Sequence, residues 1–143
     1  MSKAREHFAT TRASAIMTRD VVTFVANMKV SVAVQTLASR RISGAPVLSS
    51  NGTCLGVFSS KDVRNWDGDD PQNGLIFDFM TTPAITVSEE HNLLDVVGIL
   101  RSSRIHRLPV VDNRGRVVGI VSMTDIVEQI GLAMEAEIDA VAC

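Results

Sequence analysis

Two short runs carry the side chains best suited to chemistry, and they share one pattern: Gly56-Val57-Phe58-Ser59-Ser60-Lys61-Asp62 and Gly119-Ile120-Val121-Ser122-Met123-Thr124-Asp125. Each reads as a strand end, a turn and a helix start. A glycine in the strand permits close approach of a ligand to the backbone. A serine beside the positive N-terminus of a helix sits where phosphate is favoured. An ionised Asp three residues further on offers two acceptor oxygens, enough for the vicinal diol of a ribose. The pattern suits a nucleotide. The same residue types also suit plain capping, with Ser59 and Ser122 as N-caps and Asp62 and Asp125 stabilising a first helical turn.

Other chemistries lack their residues. There is no Gly-x-x-x-x-Gly-Lys-Ser/Thr loop, no nucleophile elbow and no tyrosine, and His7, His91 and His106 are scattered. The chain is therefore read as no enzyme. Asp67, Gly68, Asp69 and Asp70 lack the alternating acidic positions and distal Glu of a calcium loop, so a solvated loop is expected and no metal site. Trp66 is expected to anchor that loop by packing or to make an oligomer contact.

The elements that position the two runs come from a duplication. Sliding the chain by 63 residues superimposes residues 17–64 on 80–127 without a gap and with 14 identities. They include Met17-Thr18 on Met80-Thr81, Thr23 on Thr86, Arg41-Ile42 on Arg104-Ile105, and Pro46-Val47 on Pro109-Val110. Each copy predicts a short strand (Val21 to Val25; Ile85 to Val87) and then an amphipathic helix. The helices bury Val30, Val34, Leu37 and Ala38, or Leu93, Val96, Val97 and Leu100. Two β-runs follow, Ala45–Leu48 with Leu55–Phe58 and Leu108–Val111 with Val117–Val121, joined by turns containing Gly52 and Gly115. A last helix starts near Ser60 and near Met123. The fold class is α+β, with two tandem β-α-β-β-α repeats. One such repeat of about 60 residues is marginal alone, so the copies are expected to pack sheet to sheet with pseudo-twofold symmetry and two equivalent clefts.

The expected boundaries within one domain, 1–143, are a first repeat at 14–66, a linker at 67–78, a second repeat at 79–133 and a helical extension at 134–143. The stretch from Ile126 onward places Val127, Ile130, Met134, Ile138 and Val141 on one helical face, either packed on its own domain or making a dimer contact. Methionines 17, 28, 80, 123 and 134 are read as core filler.

His106 and Arg107 stand just before the β-run of the second copy, near the expected position of Ser122. The planar fork of Arg107 suits phosphate oxygens, whereas His106 alone fits a surface or capping histidine. The first copy has Ser43-Gly44 there, so the two sites should differ in phosphate affinity. Five arginines, at 101, 104, 107, 114 and 116, make the second copy locally basic.

These marks resemble a tandem pair of CBS (cystathionine β-synthase) domains, a Bateman module, over roughly residues 14 to 133. They are the Met-Thr openings, Ser43-Gly44-Ala45-Pro46-Val47, His106-Arg107-Leu108-Pro109-Val110 and the two Ser-x-x-Asp runs. The resemblance implies a stand-alone, energy-sensing regulatory module that binds AMP, ADP or ATP and signals to a separate enzyme or transporter. S-adenosylmethionine is the alternative ligand, and a ligand-free interaction module the alternative function. By position, Asp125 and Asp62 would take ribose hydroxyls, with Ser122, Thr124 and Ser59 near the phosphate or ribose. Thr81 and Thr86, and Thr18 and Thr23 in the first copy, would border the adenine, with Ile105 or Ile42 on its face. His106 and Arg107 would contact phosphate, as would Lys61 in the first copy, beside Ser43. The resemblance also favours a homodimer assembled through its terminal helices. No resident cofactor is implied.

The chain has 143 residues, 45% hydrophobic and 21% charged, a globular balance with material for a core. A net charge of −2 argues against a nucleic-acid partner. No stretch has the length and apolarity of a signal or membrane helix, since the longest uncharged run, Ile42 to Ser60, contains Gly44, Pro46, Asn51 and Gly52. Cys54 and Cys143 form no disulfide framework. The expectation is a soluble cytoplasmic protein.

Overall fold

The computed structural model describes residues 2–64 and 71–142; Trp66, the Asp67–Asp70 cluster and Cys143 lie outside them. Helices are α1 (Lys3–Thr10), α2 (Ala13–Ile16), α3 (Val30–Arg40), α4 (Ser60–Arg64), α5 (Leu93–Ser103) and α6 (Met123–Ala142). Strands are β1 (Phe24–Val25), β2 (Gly44–Leu48), β3 (Cys54–Ser59), β4 (Val87–Ser88), β5 (Arg107–Val111) and β6 (Val117–Ser122). They form two three-stranded sheets, ordered β1-β2-β3 and β4-β5-β6. The expected α+β architecture is therefore present.

Strands β1 and β4 are only two residues long, shorter than expected. Each pairs in parallel with the far end of one neighbour, Phe24 and Val25 with Val47 and Leu48, and Val87 and Ser88 with Val110 and Val111. Hairpin β2-β3 is antiparallel, and Gly52 and Gly115 take φ of 87° and 79° in the two turns, as a positive-φ position requires.

The chain forms two compact units, each discontinuous in sequence: residues 1–20, 86–113 and 118–143 in one, 21–85 and 114–117 in the other. These are unit 1 and unit 2, respectively. The core of unit 1 contains Phe8, Met17, Leu93, Val96, Leu108, Val110 and Val121; that of unit 2 contains Phe24, Val30, Leu37, Val47, Phe58 and Ile76. Phe24 and Phe58 meet edge to face at 6.2 Å. Ala38 is exposed and Ala33 is buried instead, because α3 turns Ala33 with Val30 and Leu37 onto the sheet.

What crosses between the sequence copies is the Met-Thr opening of each. Thr18 bridges Ile120 in unit 1 (N···O 2.9 and 3.0 Å), and Thr81 bridges Val57 in unit 2 (2.9 and 3.1 Å). The segment read as a linker also enters the core. Ile76 is fully buried, and its N–H bonds to Met28 O at 2.9 Å while that of Phe77 bonds to Ala26 O at 3.1 Å. Residues 63 positions earlier do the same in unit 1, where Ala13 N–H bonds to His91 O and Ser14 N–H to Glu89 O.

Helix α1, which the sequence did not announce, packs on α5 and α6. Phe8 is its one buried side chain. Glu137 Oε1 accepts from Ala4 N–H at 3.0 Å, and His7 Nε2 lies 2.8 Å from Gln129 Oε1. Helix α6 runs unbroken through the expected boundary at 134. Among its described side chains, Ile126 and Ala133 are buried. Val127, Ile130, Met134 and Ile138 form the apolar face expected there, but they are 62, 42, 53 and 65% exposed, and the Val141 side chain lies outside the described residues. Met123 is exposed as well, so neither Met123 nor Met134 fills the core. The geometry is the cause: with α1 on the Ile126–Ala133 side, the Val127–Ile138 stripe faces away from it.

Glycines 56 and 119 are approached closely, but by the protein itself rather than by a ligand. A Cβ on Gly56 would stand 2.5 Å from Thr81 O, a main-chain atom of the bridge, whereas one on Gly119 would meet only side-chain atoms of Met17, its thioether, Cγ at 2.7 Å and Cβ at 3.0 Å. Gly56→Ala is therefore expected to lose about 2–3 kcal/mol and Gly119→Ala less, since overpacking costs about 1–3 kcal/mol and a methionine can change rotamer. Urea denaturation of the two variants measures the order.

Candidate functional site

Each Ser-x-x-Asp run closes a turn through its aspartate, reciprocally in unit 1 and in one direction in unit 2. In unit 1, Ser122 N–H bonds to Asp125 Oδ2 at 2.8 Å and Ser122 Oγ accepts from Asp125 N–H at 3.2 Å. That is the geometry of a capping box with Asp in place of Glu. In unit 2, Ser59 N–H bonds to Asp62 Oδ2 at 2.8 Å, with Ser59 Oγ 3.5 Å from the same oxygen. Capping thus accounts for Oδ2 of both carboxylates. It leaves Oδ1 of each to other partners.

Helix ends aim the preceding residues. Arg41 and Arg104 end α3 and α5 in the left-handed region, with φ of 56° and 54°. This reverses the chain so that Ile42 and Ile105 pack on their cores while Ser43 and His106 are exposed. Met123 N–H then bonds to His106 O at 2.8 Å, and Ser60 N–H to Ser43 O at 3.2 Å, tying each strand start to the helix start. His106 and Arg107 therefore stand beside the Ser122 turn in unit 1, where Ser43 and Gly44 stand beside the Ser59 turn in unit 2. His106 Nδ1 lies 3.1 Å from Met123 Sδ. Arg107 is half-buried, and desolvation pushes its pKa down from the ordinary arginine value; the guanidinium stays charged.

The threonines sort differently from the sequence copies. Thr81 belongs with Asp62, to which its hydroxyl donates (Oγ1···Oδ1 3.3 Å), and not with Asp125. Thr18 is bridged to Ile120, two residues before Ser122. Unit 1 therefore holds Thr18, Thr86, Ile105, His106, Arg107, Ser122, Thr124 and Asp125, and unit 2 holds Thr23, Ile42, Ser43, Ser59, Lys61, Asp62 and Thr81. Thr23, Lys61 and Thr124 are exposed and Thr86 half-buried. The two left-handed arginines and the exchange of Thr18 with Thr81 were not visible in the sequence. The former carry no glycine, the residue that would have signalled a left-handed helix end. Among the described residues no group of three or more His, Cys, Asp or Glu can hold a metal ion, and no helix is long and apolar enough to cross a membrane.

A protein-family model described as the CBS domain matches residues 13–69 and 76–132. The chain belongs to the CBS domain family. Over 89 residues the chain is 37% identical to inosine-5'-monophosphate dehydrogenase of Mycobacterium tuberculosis, covering 62% of this chain and 16% of that enzyme. The chain thus spans a small part of the dehydrogenases it matches. Among solved structures, the CBS domain pair of protein MJ0100 in complex with 5'-methylthioadenosine and S-adenosyl-L-methionine is similar with a TM-score of 0.76 and 27% identity. The match covers 85% of this chain and 96% of that one. CBSX2 in complex with AMP is similar at 0.77 and 26%, covering 90% and 99%.

Capping by Ser122 predicts a cost independent of any ligand. Ser122→Ala is expected to lose about 1 kcal/mol, the usual worth of an N-cap. Thr124→Ala, at an exposed position, should stay within about 0.5 kcal/mol. Equilibrium denaturation without ligand measures both.

Proposed function

We propose that this CBS pair is a regulatory module, not a catalyst, that binds an adenine nucleotide (AMP, ADP or ATP) at its Ser-x-x-Asp turns. It passes the binding signal to a partner enzyme or transporter in the cytoplasm. The observation that carries the reading is Asp125, whose Oδ2 is fixed by Ser122 N–H while Oδ1 accepts no hydrogen bond among the described residues. A carboxylate held in this way presents acceptor sites to a ribose diol without first losing its own contacts. In the same unit His106 and Arg107 stand at the turn for phosphate, with Thr124 beside it, and Thr18, Thr86 and Ile105 are given the adenine. In unit 2, Asp62 and Ser59 take the ribose, Lys61 and Ser43 the phosphate side, and Thr23, Thr81 and Ile42 the base. Similarity to CBSX2 in complex with AMP supports a nucleotide, and similarity to the MJ0100 pair supports S-adenosylmethionine as the alternative ligand.

A thermal-shift titration with AMP, ADP, ATP and S-adenosylmethionine tests this. A ligand at about 100 times its dissociation constant adds about 2.7 kcal/mol, several degrees at about 2–4 °C per kcal/mol. The shift should shrink in Asp125→Ala. No shift with any of the four, in a protein that melts cooperatively, would favour the second reading, a ligand-free interaction module in which the turns only cap helices.

The exposed stripe Val127, Ile130, Met134 and Ile138 supports a homodimer through α6, because four apolar side chains at three- and four-residue spacing make a helix-packing face. A Val127→Glu, Ile138→Glu double variant is expected to sediment as a monomer where the parent sediments as a dimer. Its stability should be little changed, since both side chains are exposed in the single chain.

A further inference from the structure

The two carboxylates are not equivalent acceptors, and the difference is two hydroxyls, Ser59 Oγ and Thr81 Oγ1. An ionised carboxylate has about four acceptor positions. Asp125 uses one, for Ser122 N–H. Asp62 uses three: Oδ2 takes Ser59 N–H and, at the limit of 3.5 Å, Ser59 Oγ, and Oδ1 takes the Thr81 hydroxyl at 3.3 Å. Thr81 is held there by the main chain, since Thr81 N–H donates to Val57 O and Thr81 O accepts from Val57 N–H. Thr18, its counterpart in the repeat, is bridged to Ile120 in the same way but makes no hydrogen bond to Asp125 among the described residues. A ribose diol needs two acceptor positions. Asp125 has them open, and Asp62 has one.

We propose that Thr81 is a specificity-determining residue that makes Asp62 a reader of a single ribose hydroxyl, while Asp125 reads both. Unit 2 would then accept an adenosine-type ligand lacking one of the two hydroxyls almost as well as adenosine itself, and unit 1 would reject either deoxy form. The proposal rests on the nucleoside reading of both turns. It adds what that reading leaves open, which is how the two sites differ toward the sugar rather than toward phosphate.

The test is isothermal titration with adenosine, 2'-deoxyadenosine and 3'-deoxyadenosine. Asp62→Asn reports the Asp125 site and Asp125→Asn the Asp62 site, and each asparagine keeps a side-chain oxygen for its serine N–H cap. In Asp62→Asn, loss of either hydroxyl should weaken binding about tenfold or more, as expected for a hydrogen bond to a charged group. In Asp125→Asn, one of the two deoxy forms should bind within about twofold of adenosine. Adding Thr81→Val should make that form about tenfold weaker than adenosine, while Thr81→Ser should leave it within twofold. The same Thr81 pair in the otherwise wild-type chain guards against a folding defect in the asparagine variants. A ratio unmoved by Thr81→Val, or an Asp62 site already intolerant of both deoxy forms, overturns the proposal and leaves the nucleoside reading intact. Binding of neither adenosine nor AMP at either site in the wild-type chain overturns the nucleoside reading, and this proposal with it.

Discussion

The positions of both carboxylates depend on two main-chain bridges, each one residue wide, Thr18 with Ile120 and Thr81 with Val57. Each bridge lays a Met-Thr segment along the strand that ends in the Ser-x-x-Asp turn, and a glycine, Gly119 or Gly56, lies next to the bridged residue. A side chain at Gly56 would occupy the place of the Thr81 carbonyl. The glycine requirement is thus set by contact within the chain, and it would hold in a protein that never met a ligand. The bridges also make each unit discontinuous. Residues 79–133 alone would lack Met17, which is buried in the core of unit 1, and Phe8 with it.

The duplication, the β-α-β-β-α order and the hairpin turns were legible because they rest on local signals: apolar periodicity, turn glycines and a gapless repeat. The exchange of Met17-Thr18 with Met80-Thr81 was not. Both copies carry the same residues at these positions, so the sequence is identical whether each Thr completes its own copy or the other. Only three-dimensional pairing distinguishes the two arrangements. The serines and aspartates were legible as both caps and ligand groups. The structure shows the capping bonds directly, and it leaves Oδ1 of Asp125 as the atom on which the ligand reading depends. Helix α1 was hidden because it has a single buried side chain, Phe8, and so almost no apolar period to detect. What holds it is polar and distant in sequence: Glu137 at its first turn, Gln129 at His7, and Asn92 Nδ2 donating to Ala9 O.

Helix α6 shows why an amphipathic pattern does not say which way it faces. Two stripes run along it. The narrower, Ile126 and Ala133, lies on the side of α1 and its own core, while the broader and more apolar Val127–Ile138 stripe stays exposed. A period of three and four residues fixes that a face exists. The small volume of Ala133 permits the close approach of a neighbouring helix, and that favours the less conspicuous stripe as the inner one.

Comparing the two units position by position separates what the fold requires from what it leaves free. The bonds Ala13 N–H to His91 O and Ile76 N–H to Met28 O are 63-residue equivalents, so the backbone is built alike in both. On that common frame unit 2 exposes Val25, Val32, Leu75 and Phe77, where unit 1 carries Ser88, Asp95, Arg12 and Ser14. Neither set is needed for folding, since the same main chain forms with both. The same reasoning applies at the turns. Ser59 and Ser122, Asp62 and Asp125, and Gly56 and Gly119 are shared, and they make the caps and the bridges. The positions whose side chains differ, Ser43 against His106, Gly44 against Arg107 and Lys61 against Thr124, surround the turns, and the main-chain ties at Ser43 and His106 are alike in both. After a duplication, these are the residues at which the two sites can acquire different ligand chemistry while the scaffold stays fixed.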